Sequence, residues 1–347
     1  LFDGIFNITV KAVDAAGNAG ISFVILNVDI ISPIIEIRSP KAHGFVKSIV
    51  RISIEIYERN LADTVIIIRN ETNIVVKWLI PKDTLIEIDW DSLNVSDGMY
   101  ELLVISRDVV GHVVETSSQF IVDNTLPLII LEKIPNFVNK TIIELSWNAR
   151  DNFGINKTII SVNNKTVAIL PPDITTYSLE LSEGIYQISV ITYDHAGNKA
   201  IASVSIVIDT TPPIVNVIYP ENNSIIADRN ITIKWTAEDD LSGLAGFIIH
   251  INDQKIYIHD PNAREYTTTI TEGKHVITVV ALDRAGNLNR ATIVLEIRPG
   301  GFVFRVPISL LIPLAVSLVA LVLITLICRR KKEITPSKIL EEIEKSI

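Results

Sequence analysis

The sequence predicts an all-β chain: tandem seven-stranded sandwiches followed by one membrane-crossing helix. Three observations predict it. A twelve-residue stretch occurs four times without a gap, at residues 3–14, 97–108, 183–194 and 272–283. Each copy carries apolar residues at every second position (Ile8/Val10, Leu102/Val104, Ile188/Val190, Ile277/Val279), the period of a half-buried strand. The composition is 48% hydrophobic with one Met and one Cys, rich in the β-branched residues that pleated surfaces favour.

Each copy opens on an acid and a Gly, places Phe6, Tyr100, Tyr186 or His275 two residues on, and closes on Asp14, Asp108, Asp194 or Asp283. Three copies continue as Ala-Gly-Asn and one as Val110-Gly111-His112. Gly supplies positive φ and Asp bonds its own backbone, so a hairpin turn is expected there. A second alternating strand follows and ends at Asp29, Asp123 or Asp209. The closing Asp residues recur roughly every 90 residues, enough for each repeat to bury a core of its own.

The units in chain order follow from these anchors. Residues 1–29 supply only the last two strands of a truncated repeat, and the missing strands are expected upstream, since a lone hairpin is marginal in water. Complete repeats occupy residues 30–123, 124–209 and 210–298. In the first, Ile35 and Ile37 mark an edge strand that Ser39-Pro40 stops. The next strand carries Ile52, Ile54 and Ile56, with equivalents Ile143, Leu145 and Trp147 and then Ile231, Ile233 and Trp235. A strand-turn-strand around Asn70, Asn163-Asn164 or Asn252-Asp253 and one further strand lead into the anchor. Seven strands per repeat, with turns about every ten residues, indicate a Greek-key sandwich.

Residues 299–305 form a short joint holding Gly300-Gly301. Residues 306–328 contain no charge and would rise about 34 Å as a helix, enough to cross a core of about 30 Å. Arg329-Arg330-Lys331-Lys332 follows at once and places the tail, residues 329–347, in the cytoplasm. The net charge is −9, and because the tail is basic the repeats are more acidic still, which argues against nucleic acid as a partner. Cys328 is the only cysteine, so no disulfide staples a repeat.

The Gly-x-Tyr strand, the Asp-x-x-Gly-Asn turn and the joints Asp123-Asn124-Thr125-Leu126-Pro127 and Asp209-Thr210-Thr211-Pro212-Pro213 resemble the immunoglobulin-like repeats of bacterial and archaeal surface proteins. These repeats are close in pattern to fibronectin type III and cadherin-like modules. The resemblance covers residues 1 to about 298 and implies Ig-like sandwiches. By the same resemblance Tyr100 and Tyr186 occupy the tyrosine-corner position, whose phenol fixes a crossover; a ligand-stacking platform is the alternative. Phe6 and His275 at this position lack the phenol, which suggests that the hydroxyl is dispensable. Cadherin-like proteins hold calcium with acids at strand ends and joints, and that likeness makes Asp151, Asp194, Asp209, Asp239 and Asp283 candidate calcium ligands. Against it, each Asp caps its own turn, the reading the ligand count favours unless two repeats converge.

Eight Asn-x-Ser/Thr sequons, at Asn7, Asn70, Asn94, Asn139, Asn156, Asn164, Asn222 and Asn230, all precede the apolar segment, as a glycosylated outer surface requires. No hydrolase, phosphate-loop or metalloprotease motif occurs, and neither a catalytic residue nor a bound cofactor beyond calcium is expected. The expectation is a non-enzymatic cell-surface stalk or adhesion protein. It is anchored in membrane lipid through residues 306–328, N-terminal region outside and C-terminus inside, and its repeats project an upstream head or a surface for a protein or glycan ligand. The alternative is the accessory stalk of a surface hydrolase, such as a protease, with its catalytic domain upstream.

Overall fold

The computed structural model describes residues 2–298. The expected membrane helix (306–328), its joint and the tail lie outside the described residues. Among the described residues no helix is long and apolar enough to cross a membrane.

The chain opens on a hairpin of β1 (Gly4–Val13) and β2 (Ala19–Val28), paired in register from Gly4↔Val28 to Val13↔Ala19. Ile8 and Val10 alternate as the sequence requires but stay exposed, because among the described residues no second sheet covers them. The first complete repeat comprises β3 (Ile34–Ser39), β4 (Phe45–Val46), β5 (Ile49–Tyr57), β6 (Leu61–Arg69), β7 (Ile74–Pro81), β8 (Leu85–Asp91), β9 (Gly98–Asp108) and β10 (Val113–Val122). They form a three-stranded sheet, β3-β5-β8, and a five-stranded sheet, β4-β10-β9-β6-β7. The count is eight rather than seven. After Pro40, which cannot donate to a ladder, the chain leaves β3 and re-pairs as two residues of β4, parallel to the end of β10.

Period-two patterning does what it predicts. Ile52, Ile54 and Ile56 from one sheet face Ile66, Ile68, Leu102 and Val104 from the other, all buried. The second repeat repeats both sheets: Leu128–Leu131, Ile142–Arg150 and Thr176–Glu180 in one, and Phe137–Val138, Lys199–Ile208, Gly184–Asp194, Ile155–Val162 and Lys165–Leu170 in the other. Its core centres on Leu145, Trp147, Ile160, Ile188 and Val190.

The described chain falls into two compact units. One spans Leu1–Ile214 and takes in Glu238–Ala245 and Leu282–Leu288; the other holds most of the third repeat. The third repeat has the same two sheets, ordered Ile214–Tyr219, Asn230–Glu238, Glu265–Thr269 and Ser224–Ile226, Leu288–Ile297, Gly273–Asp283, Leu244–Ile251, Gln254–Ile258. Trp235 packs edge-on against Phe247 in its core, ring centroids 5.2 Å apart.

Candidate metal centre

The turn after each anchor strand is built as its sequence requires. Gly17, Gly111, Gly197 and Gly286 all have φ between 80° and 102°, the left-handed region that glycine enters without strain. The preceding Asp folds back under the turn. Asp14 Oδ1 accepts from the Ala16 and Asn18 N–H, and Oδ2 from Asn18 Nδ2 at 2.8 Å. Asp108 Oδ1 accepts three backbone N–H groups, from Val110, Gly111 and His112, and Oδ2 meets His112 Nδ1 at 2.6 Å. Burial alone would raise the Asp108 pKa, but these bonds, led by His112, outweigh it and hold the carboxyl below its ordinary value. Asp283 is served likewise by the Gly286 and Asn287 N–H and by Asn287 Nδ2. Asp14, Asp108 and Asp283 therefore each cap their own turn through both carboxylate oxygens.

Asp194 departs from this. Its Oδ1 accepts the Asn198 N–H at 2.8 Å, but the Asn198 amide turns away and donates to the Asp123 carbonyl oxygen at 2.9 Å. Asp194 Oδ2 is left buried with no donor. Asp151, in the loop after the second strand, accepts the Phe153 N–H through Oδ2 and has no donor for Oδ1. Asp123, the last residue of the preceding repeat, is fully buried with neither carboxylate oxygen bonded. One oxygen from each of the three lies within 4.8 Å of the others. Burial first, then the charges of Asp151, Asp194 and Asp97, push the Asp123 pKa up to about 6.

Of the five acids expected as ligands, Asp151 and Asp194 meet here, together with Asp123, which the sequence reading left out of the set. Asp209, Asp239 and Asp283 meet in a second cluster, also within 4.8 Å. There the chain supplies donors. Asp209 accepts from the Thr211 N–H and the Ser242 N–H, Asp239 from the Gly243 N–H at 2.6 Å, and Asn287 Nδ2 bonds both Asp283 and the Asp209 carbonyl. A third cluster joins Asp29, Asp108 and His112.

The first joint is tied from both sides. Asp97 Oδ1 accepts the Asn124 N–H, and Oδ2 accepts the Thr125 hydroxyl at 2.5 Å and Asn152 Nδ2 at 3.1 Å from the next repeat. Burial pushes the Asp97 carboxyl up, but these bonds, led by Thr125, hold it below its usual value. Glu183 does the same for Thr210 and Thr211, and Asp3 for the Ile30 N–H. Phe45 stacks on His195 at 5.2 Å and meets Phe153 edge-on at 6.0 Å. Pro33, Pro127 and Pro213 are buried at their joints. The sequence held a partial signal for Asp97 and Glu183: an acid opens all four anchors, and a Thr follows the joint Asp in these two repeats.

Residues 213–279 match the family model described as bacterial Ig domain. The other complete repeat sheets share this repeat's strand order. The chain carries tandem immunoglobulin-like repeats. A search of curated proteins found no match. Among solved structures, the Ig-like repeats are similar to fibronectin(III)-like modules of Clostridium thermocellum CbhA, at 18% identity over 51% of this chain and 94% of that one, TM-score 0.38. A tetra-tandem repeat from the extending region of a large adhesion protein is 16% identical over 86% and 83%, TM-score 0.34. A piece of a 1.5-MDa bacterial ice-binding adhesin is 13% identical over 78% and 100%, TM-score 0.30. At these scores the assignment rests on the family match and the chain's own topology.

Proposed function

We propose that the chain is a non-enzymatic surface stalk, whose Ig-like repeats hold a head or a protein- or glycan-binding surface away from a membrane. The observation that carries it is the joint between the first and second complete repeats. A spacer must transmit position from one repeat to the next. Here the Asn198 amide of one repeat bonds the Asp123 backbone of the other, Asn152 bonds Asp97, and Phe45 sits against His195 and Phe153. Short proline-bearing joints restrict swing where a Gly/Ser linker would permit it. The membrane segment is residues 306–328, uncharged and followed by four cations, with the tail inside and the repeats and their sequons outside.

Labelling intact cells with an impermeant thiol reagent, in a Cys328→Ser background, tests the arrangement. Glu221→Cys is expected to react and Lys338→Cys to react only after lysis. The reverse pattern would overturn the topology, and equal labelling of both in intact cells would remove the membrane anchor.

A further inference from the structure

The three joints place equivalent residues together but satisfy them differently. At each, the joint Asp (Asp29, Asp123, Asp209) meets the turn Asp (Asp108, Asp194, Asp283) and the loop after the second strand (Asn60, Asp151, Asp239). At the Asp29 joint the chain's own donors close the cluster. Asn60 Nδ2 bonds Asp29 Oδ2 at 2.8 Å, the Ile31 N–H meets Oδ1, and His112 Nδ1 meets Asp108 Oδ2. At the Asp123 joint a carboxylate stands where Asn60 stood, and the Asn198 amide has turned to the Asp123 carbonyl. Four buried carboxylate oxygens, both of Asp123, Oδ1 of Asp151 and Oδ2 of Asp194, then have no donor.

Such an arrangement is costly by itself. A buried charge needs a partner, and three carboxylates within 4.8 Å repel one another. A cation held by one oxygen of each carboxylate would offset this repulsion and give the buried oxygens a partner. The chemistry of the donors selects among cations: all are hard carboxylate oxygens, with no thiolate or imidazole in the cluster, which disfavours zinc and copper. Magnesium prefers to keep several waters in strict octahedral geometry, whereas calcium accepts six to eight oxygens with looser geometry. A walled cluster with two oxygens on one carboxylate suits calcium.

We propose that Asp123, Asp151 and Asp194 bind one calcium ion that couples the first complete repeat to the second, while the Asp29 joint is held by hydrogen bonds and needs no ion. Asp123 ends one repeat, and Asp151 and Asp194 belong to the next, so the ion fastens the two together. The array then contains a calcium-set joint and a calcium-independent one. This holds whatever the stalk carries and wherever it is displayed.

The test uses the full chain in detergent micelles, stripped with chelator and titrated with calcium or magnesium. Calorimetry is expected to show saturable calcium binding in the range of about 10⁻⁴–10⁻³ M seen for extracellular modules, with magnesium weaker. Hydrogen exchange reads each joint separately: calcium should slow residues 122–128 and 151–155 and leave 28–33 and 58–62 unchanged. Asp123→Asn should abolish that protection, or weaken it more than about tenfold. This variant removes one of three repelling charges, so in chelator it should unfold no earlier than the parent. Four results would overturn the proposal: no calcium-dependent protection at residues 122–128, full protection in Asp123→Asn, an equal response at the Asp29 joint, or magnesium binding as tightly as calcium.

Discussion

Asp108 shows what one side chain does for a turn. Its Oδ1 gathers three backbone N–H groups that would otherwise face outward around Gly111, and its Oδ2 holds His112. Because the folded pKa is depressed, the unfolded chain binds more protons as acid is added. The stabilisation from Asp108 is therefore present above the ordinary carboxylate pKa of about 3.9 and is lost as pH falls through the lower folded value. Asp108→Ala should cost about 1.5–3 kcal/mol at pH 7, the range for hydrogen bonds to a charged group. That cost should shrink in parallel denaturant titrations carried from pH 6 to pH 3; an unchanged cost at pH 3 would mean that the charge contributes nothing. Asp108's role was legible from an acid at fixed spacing before Gly. The bonds made by Asp97 were less so, because Thr125 lies far along the chain and only the fold brings it back. Nor does sequence spacing say that the Asn198 amide bonds the neighbouring repeat while Asp194 Oδ2 is left without a donor.

At the scale of the element, the anchor strand explains both what was read correctly and what was not. Tyr100 Oη donates to the Ser96 carbonyl at 2.8 Å, four residues back, as a tyrosine corner does. His275 was expected to do without this contact, yet its Nε2 meets the Thr271 carbonyl, again four residues back, at 2.8 Å. The carbonyl accepts, so Nε2 carries the proton, and Nδ1 accepts from Asn252 Nδ2 at 3.0 Å. An imidazole thus reaches the equivalent carbonyl to the one a phenol reaches. Tyr186 instead bonds the Ser182 hydroxyl at 3.1 Å. Tyr100→Phe should cost about 1 kcal/mol, the worth of one hydrogen bond, and His275→Phe should cost more because it strands both Asn252 and Thr271. Amide exchange of residues 98–108 and 273–283 in mild denaturant separates the two, and equal effects would show that the Asn252 bond carries no weight. The short parallel strand β4 was not legible: two residues show no period, and their pairing with β10 depends on where the fold returns the chain.

Across the whole molecule, internal repetition made the architecture readable, since four gapless copies of one strand fix the others by analogy. The same repetition places the sequons on equivalent turns with unequal surroundings. Asn164 sits exposed at a hairpin tip with φ of 64°. Asn70, on the equivalent hairpin, is half-buried, and its Oδ1 accepts from the Thr72 N–H, the Thr72 hydroxyl and the Asn73 N–H. A glycan joins Asn through the side-chain amide nitrogen, and modification of a folded chain requires the Asn-x-Thr segment to leave its turn. Opening the Asn70 turn sacrifices three hydrogen bonds, each worth about 1 kcal/mol, whereas Asn164 lies free on its tip. If the repeats face outward as proposed, peptide mass spectrometry of the protein from its native membrane should find higher occupancy at Asn164 than at Asn70. Asn70→Asp should leave the turn intact, because the Oδ1 acceptor is kept. Equal occupancy at both sites would show that the sugar is added before these turns fold, and absence of glycan at all eight sequons would remove the support they lend to an outward-facing array.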